Sequence, residues 1–187
     1  MEKIDISFSD IDIFKEMIGQ VFDKYKCDPF VFSPSVYGIV GFYIGKDIFK
    51  MTSLQKTVSR FYADEDVATF QFAHAKDDEI VTMMDKGQMI ENPVKDTIMS
   101  IDIINDYETV SHNGDERTLI STKGIIFHLD GGNEISFEIG TWFSEFITIR
   151  KGYNLIQNFT QIQDFLEEWE DSDGFEAKAR RELITIQ

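Results

Sequence analysis

A chain of 187 residues that is 42% apolar and 13% aromatic, with 17 Phe, has material for a sizeable core, which excludes intrinsic disorder and removes any need for a staple. Thirty-four acids against 18 bases give a formal net charge of −16, a field that repels DNA, RNA and anionic lipid. Cys27 is the single thiol, which excludes an intramolecular disulfide and a Cys-based metal site within one chain.

The N-terminal stretch carries acids among its apolar residues and lacks a secretory apolar run, and nowhere do the ~18 apolar residues of a membrane span occur. These features predict one cytoplasmic domain over residues 1–187. Ile11, Phe14, Ile18, Val21, Phe22 and Tyr25 recur at helical spacing, which predicts an amphipathic helix over about 10–26 with Ser9 as its N-cap. Pro29 and Pro34 bracket a break from Asp28 to Pro34. A β-rich core over about 35–150 follows. Ser35 to Ile44 reads as one buried strand, and Ile48 to Tyr62, ambiguous in period, as a strand. Val67 to Ala75 alternates cleanly. Asp77 to Pro93 is polar and reads as a connection with a short element.

Thr97 to Ile104 reads as a strand, with a polar connection through residues 112–116. Thr118 to Leu129 and Glu134 to Ile139 form the best hairpin. Pairing Leu129 with Ile135 places Ile125, Phe127, Leu129, Ile135, Phe137 and Ile139 on one face and leaves Gly131-Gly132-Asn133 as a three-residue loop. Glu145 to Arg150 makes a last strand. A C-terminal helical segment over about 154–185 is predicted in two pieces. Thr160 with Gln163 fits a capping box ahead of Ile162, Phe165, Leu166 and Trp169, and a second helix spans Phe175 to Ile184.

This order predicts an α+β fold: a mainly antiparallel curved sheet or partly open barrel, with the N-terminal amphipathic helix and a C-terminal helix packed on the sheet. The order alone resembles that of pleckstrin-homology-like barrels, a likeness that carries no function.

No catalytic residue is predicted. Cys27 lies beside Asp28 at the end of the first predicted helix, where both the acid and the helix dipole raise a thiol pKa. No nucleophile elbow, phosphate loop or dinucleotide fingerprint occurs. His74, His112 and His128 lack the spacing of zinc hydrolases, and a calcium loop set on Gly174 would place Trp169 and Arg180 at ligand positions. No cofactor and no metal are therefore expected. In the hairpin register above, His128 opposes Ser136 on the face away from the core, with Glu134 and Glu138 beside it, an alternative polar cluster for metal, ligand or hydrolytic chemistry.

Charge carries the leading expectation. Residues 96–176 hold 17 acids and 4 bases, and Asp164, Glu167, Glu168, Glu170, Asp171 and Asp173 fall in a run without a base. Helical phase puts Glu167, Glu168, Glu170 and Asp171 on the solvent side of the terminal helix. They mark a docking surface for a basic protein, as in an inhibitor, immunity-type protein or adaptor, with no direct nucleic-acid or membrane partner.

Overall fold

A computed structural model describes residues 2–30, 34–84, 87–140 and 145–187. The chain opens with β1 (Glu2–Ile6) and a 3-10 turn over Asp12–Met17, then runs through β2 (Val21–Cys27), β3 (Ser35–Val36), β4 (Ile39–Ile44), β5 (Asp47–Arg60) and β6 (Ala63–His74). A short 3-10 turn at Asp77–Glu79 precedes β7 (Ile90–His112), β8 (Asp115–Leu129), β9 (Glu134–Ile139) and β10 (Ile147–Gly152). A 3-10 turn at Leu155–Asn158, helix α1 (Ile162–Trp169) and β11 (Phe175–Ile186) follow. Parts of two predicted connections, residues 31–33 and 85–86, lie outside the described residues.

The strands form one open sheet in the order β3-β10-β9-β8-β7-β2-β4-β5-β6, with β1 added to β8 and β11 to β7. Strand makes up 61% and helix 12%, so the expected balance of helix and sheet is corrected to a mostly antiparallel β protein with one C-terminal α-helix among the described residues. The partly open barrel is corrected too. The sheet ends at β3 and β6 without joining them, so the likeness to a pleckstrin-homology-like barrel falls away.

The predicted helix over 10–26 is absent. Its apolar positions are shared between a 3-10 turn, which buries Ile13, Phe14 and Met17, and β2, which buries Phe22, Tyr25 and Cys27. A register shift between Phe22 and Lys24 inserts an extra residue, so Phe22 and Tyr25 both point inward at a spacing of three. A β-bulge has here imitated a helical repeat. The second predicted helix, Phe175 to Ile184, is likewise strand: β11 pairs with β7 from Phe175↔His112 to Ile186↔Ile101. Ala, Glu, Lys and Arg favour helix in isolation, but strict alternation of Phe175, Ala177 and Ala179 with charged residues fits a half-buried strand. The C-terminal helical segment thus shrinks to α1 and the turn before it.

Two hairpins show why the turns sit where they do. β7 and β8 close on Asn113-Gly114, both at positive φ, a two-residue turn with the twist that antiparallel strands require. That turn replaces the polar connection expected over 112–116. In β8–β9 the pairs are Phe127↔Ile135 and His128↔Glu134, two residues from the predicted register. A shift of two leaves every side chain on its face, so hydrophobic alternation cannot detect it. The loop becomes Asp130-Gly131-Gly132, with Gly132 at φ +78. Ser35 to Ile44 is also two strands: β3 pairs with β10 and β4 with β2 and β5.

The core lies where the two wings of the sheet face each other. Phe22 and Phe42 from one wing meet Phe127 from the other at centroid distances of 5.1 and 5.7 Å, and Phe42 meets Phe137 at 4.8 Å. Tilted and edge-on rings of this kind add about 0.5–1.5 kcal/mol per pair beyond area burial. The β5–β6 hairpin turns on Phe61-Tyr62, both at positive φ, a strained choice for bulky residues. Packing holds it: Phe61 lies 5.6 Å from Phe165 and 5.8 Å from Trp169, and the Tyr62 hydroxyl donates to the Asp115 carbonyl.

Candidate functional site

One face of β7 carries Asp102, Ile104, Asp106, Glu108 and Val110 in alternation, opposite the face that gives Ile101 and Ile103 to the core. On β8 an extra residue near Lys123 shifts the phase, so His128, Ile126 and Gly124 share this outer face with Ser121 and Leu119. Residues 155–169 cover it. Ile104 and Ile126 pack under Leu155 and Phe159, and Gly124 is needed there, since a Cβ would lie 2.3 Å from the Phe137 carbonyl oxygen and 2.7 Å from the Phe159 ring. Farther along, Val110 and Leu119 pack under Phe165. Between these apolar plugs lie buried charges and a cavity.

The edge of β8 is shared between two strands: β1 pairs with Arg117–Ser121 and β9 with Gly124–His128. Neither reaches Thr122 or Lys123. Beside that gap is a cavity of about 290 Å³, bounded by the end of β1, the end of β9, the β5–β6 arm and the start of α1. Its walls hold buried ion pairs. Arg181 meets both oxygens of Asp106 at 2.7 Å, and its second nitrogen also donates to the Thr160 carbonyl at 2.9 Å. Glu108 sits between Lys123 at 2.9 Å and Arg60 at 3.3 Å. Burial pushes the Glu108 carboxyl up, but the Lys123 ammonium and Arg60 guanidinium outweigh it and hold the group below the usual carboxylate range. Glu138 accepts from Arg150 at 2.5 Å and from the Thr160 N–H at 2.6 Å. The predicted capping box is thereby replaced, because the Thr160 N–H turns to Glu138 and Gln161 takes the N-cap position without a side-chain bond.

The predicted polar cluster separates into two places. His128 lies opposite Glu134, not Ser136, with its Nδ1 3.4 Å from Glu134 and its Nε2 2.8 Å from Asp102. Thr185 donates to the other Asp102 oxygen and the Leu155 N–H to Glu134, giving a polar row across β11, β7, β8 and β9. Ser136 is fully buried with no hydrogen-bond partner for its hydroxyl, and Glu138 belongs to the cavity wall. Among the described residues no three His, Cys, Asp or Glu side chains are placed to hold a metal ion. Cys27 is buried, and burial followed by Asp28 pushes its thiol up to about 12, the direction expected from its sequence neighbours.

The Asp102 hydrogen bond raises the His128 pKa above its ordinary value against burial, with Glu134 adding to the rise. Burial works to raise Asp102, but bonds from His128 and Thr185 leave it lowered. A histidine with a raised value contributes stability in full below its unfolded pKa of 6.5 and loses it as pH climbs through the folded value. Asp102 contributes above its unfolded 3.8 and loses its share as pH falls through the folded value. We therefore expect His128→Asn to lose most stability relative to the parent near pH ~5.5 and least above pH ~8, read from urea midpoints. An equal loss at both ends would show that the pair does not titrate as described.

Two groups stand out among the 17 acids of residues 96–176. Asp102, Asp106, Glu108, Asp115, Glu134 and Glu138 are each within ion-pair reach of a His, Lys or Arg and serve the fold. Asp164, Glu167, Glu168, Glu170, Asp171 and Asp173 are exposed on α1 and the turn after it. Among the described residues Asp164, Glu167, Glu170, Asp171 and Asp173 make no ion pair. Lys178, Arg180 and Arg181 do not offset them. Arg180 lies over the Tyr107 ring at 3.4 Å, Lys178 shares that other side of the sheet, and Arg181 is committed to Asp106. Comparison with protein families, characterised proteins and solved structures returned no significant match to this chain. No described helix is long and apolar enough to cross a membrane.

Sequence reasoning missed Arg60, Asp106, Glu108, Ser121, Lys123 and Arg181. The available signal was the run Ile103 to Val110, where Asp106 and Glu108 interrupt an apolar strand and so demand buried partners.

Proposed function

We propose that this is a non-catalytic interaction protein whose acidic face on α1 docks on a basic protein, in an inhibitor, immunity-type or adaptor role. The observation that carries it is the exposed, unneutralised row of Asp164, Glu167, Glu170, Asp171 and Asp173, with Glu168 beside it. Acids at the C-terminal end of a helix oppose its dipole at a cost of about 0.3–1 kcal/mol each, and among the described residues Glu167, Glu170, Asp171 and Asp173 have no ion pair to relieve it. A local cost kept without structural return is what a recognition surface looks like. The overall charge of −16 adds long-range steering toward a cationic surface.

The test is capture of a basic protein from the cell of origin by the intact protein, alongside a variant with Glu167, Glu170, Asp171 and Asp173 all changed to Lys. These side chains face solvent, so the variant keeps the fold. Binding should weaken steeply between low and physiological salt and disappear in the variant, because exposed charge pairs are screened over about 8–10 Å. Capture that resists salt, survives the charge reversal or never occurs would overturn the docking reading.

A further inference from the structure

The cavity at the gap between β1 and β9 shares Asp164 and Glu168 with the acidic row but opens beside the buried ion pairs, and its chemistry points to a small ligand. We propose that it binds a small organic cation: an ammonium group carried on a short apolar body. Its volume of about 290 Å³ sits at the lower end of small-ligand pockets, which run from about 300 Å³. An apolar cavity of about 150 Å³ holds benzene, so there is room for a ring with a two-carbon amine tail. Ile6, Val67, Leu119, Ile162 and Phe165 supply apolar wall for the body of such a molecule.

A second observation marks a polar contact point. Ser121 lines this cavity at 6% exposure, and its hydroxyl has no hydrogen-bond partner. Leaving a buried hydroxyl unpaired costs about 1–3 kcal/mol, a cost that a ligand group reaching Ser121 removes. The hydroxyl can accept a hydrogen bond from an N–H of the ligand.

Charge then decides the ligand class. Acids among the lining residues are Asp106, Glu108, Glu138, Asp164 and Glu168, against Arg60 and Lys123. Lys123 and Arg60 are already drawn onto Glu108, while Arg181 and Arg150 reach in only as far as Asp106 and Glu138. Asp164 at the start of α1 makes no ion pair among the described residues. Asp106, Glu108 and Glu138 are each matched by a base, so among the described residues Asp164 is the lining carboxylate left for an ammonium group to meet, and an anion entering here gains no free base.

Titration of the intact ¹⁵N-labelled protein with 2-phenylethylammonium, followed by amide shifts, tests this against two size-matched probes, 2-phenylethanol and 3-phenylpropionate. The amine should saturate with its largest shifts at Ser121, Lys123, Ile162 and Phe165. The alcohol should bind at least about tenfold more weakly and the carboxylate not measurably, tenfold being about 1.4 kcal/mol. Ser121→Ala should weaken the amine about fivefold or more without lowering the melting temperature, since it removes an unpaired hydroxyl. Asp164→Asn, at an exposed position, should weaken it several-fold. Equal affinity for amine and alcohol, shifts centred elsewhere, or unchanged affinity in both variants would overturn the assignment. Reversing Glu167, Glu170, Asp171 and Asp173 touches none of the lining residues, so this site and the docking face fail independently.

Discussion

Arg181→Met is expected to cost about 3–5 kcal/mol of stability, seen as a large fall in the urea midpoint with the slope of the transition unchanged. Arg181 is 13% and Asp106 7% exposed at the side chain, and the guanidinium meets the carboxylate through two bonds of 2.7 Å. Removing it strands a buried carboxylate and frees the Thr160 carbonyl, where the chain turns into α1. The penalty belongs chiefly to the abandoned Asp106. Combining Asp106→Asn with Arg181→Met should therefore recover a large part of the loss, because a well-filled neutral site can match a buried ion pair. A single-variant loss below about 1 kcal/mol, the range of surface pairs, would mean that the site is wetter than its burial indicates.

Phe42→Ala is expected to cost about 3–5 kcal/mol, as other large-to-small changes do in cores that cannot collapse. Phe42 is fully buried and touches Phe22, Phe72, Phe127 and Phe137, with centroids 4.8–6.0 Å away. It joins the wing containing β2, β4, β5 and β6 to the wing containing β8 and β9, so its loss opens a void between sheet layers that backbone pairing holds apart. Phe42→Leu should cost well under half as much. Equal losses for the two variants, in thermal or urea unfolding, would place the energy in the ring contacts and not in the filled volume.

Much of the sheet was legible in the sequence and much of its wiring was not. The alternation of Glu134–Ile139 against Ile125–Leu129 identified the core-facing side chains correctly, because period two is a direct consequence of the pleat. The register could not follow from the same signal, since a two-residue slip preserves every face. At Val21–Cys27 the bulge converted strand spacing into helix spacing, and only Gly19 at φ +76 and the β-branched Val21 hinted at extended chain. At Phe175–Ile186 helix formers sit in a strand because β7 offers a long edge and the Ala side chains fit beneath α1, a tertiary demand that propensity does not contain. The exposure of Glu167 and Glu168 on α1 was readable from helical phase, whereas Glu170 and Asp171 are exposed in the turn that follows the helix. The cavity was not readable, since it depends on two strands sharing the edge of β8 and leaving Thr122–Lys123 between them.

The pairing of β11 with β7 also sets a timetable. Arg181 follows Asp106 by 75 residues, so at about 5–20 residues per second a nascent chain waits about 4–15 s before the base that matches this acid has been made. Val110 and Leu119 remain uncovered for a shorter part of that interval, until Phe165 of α1 has been made. The outer layer therefore assembles after the Phe-rich interior can already have formed, and for those seconds the newborn protein carries an apolar flank that chaperones can recognise.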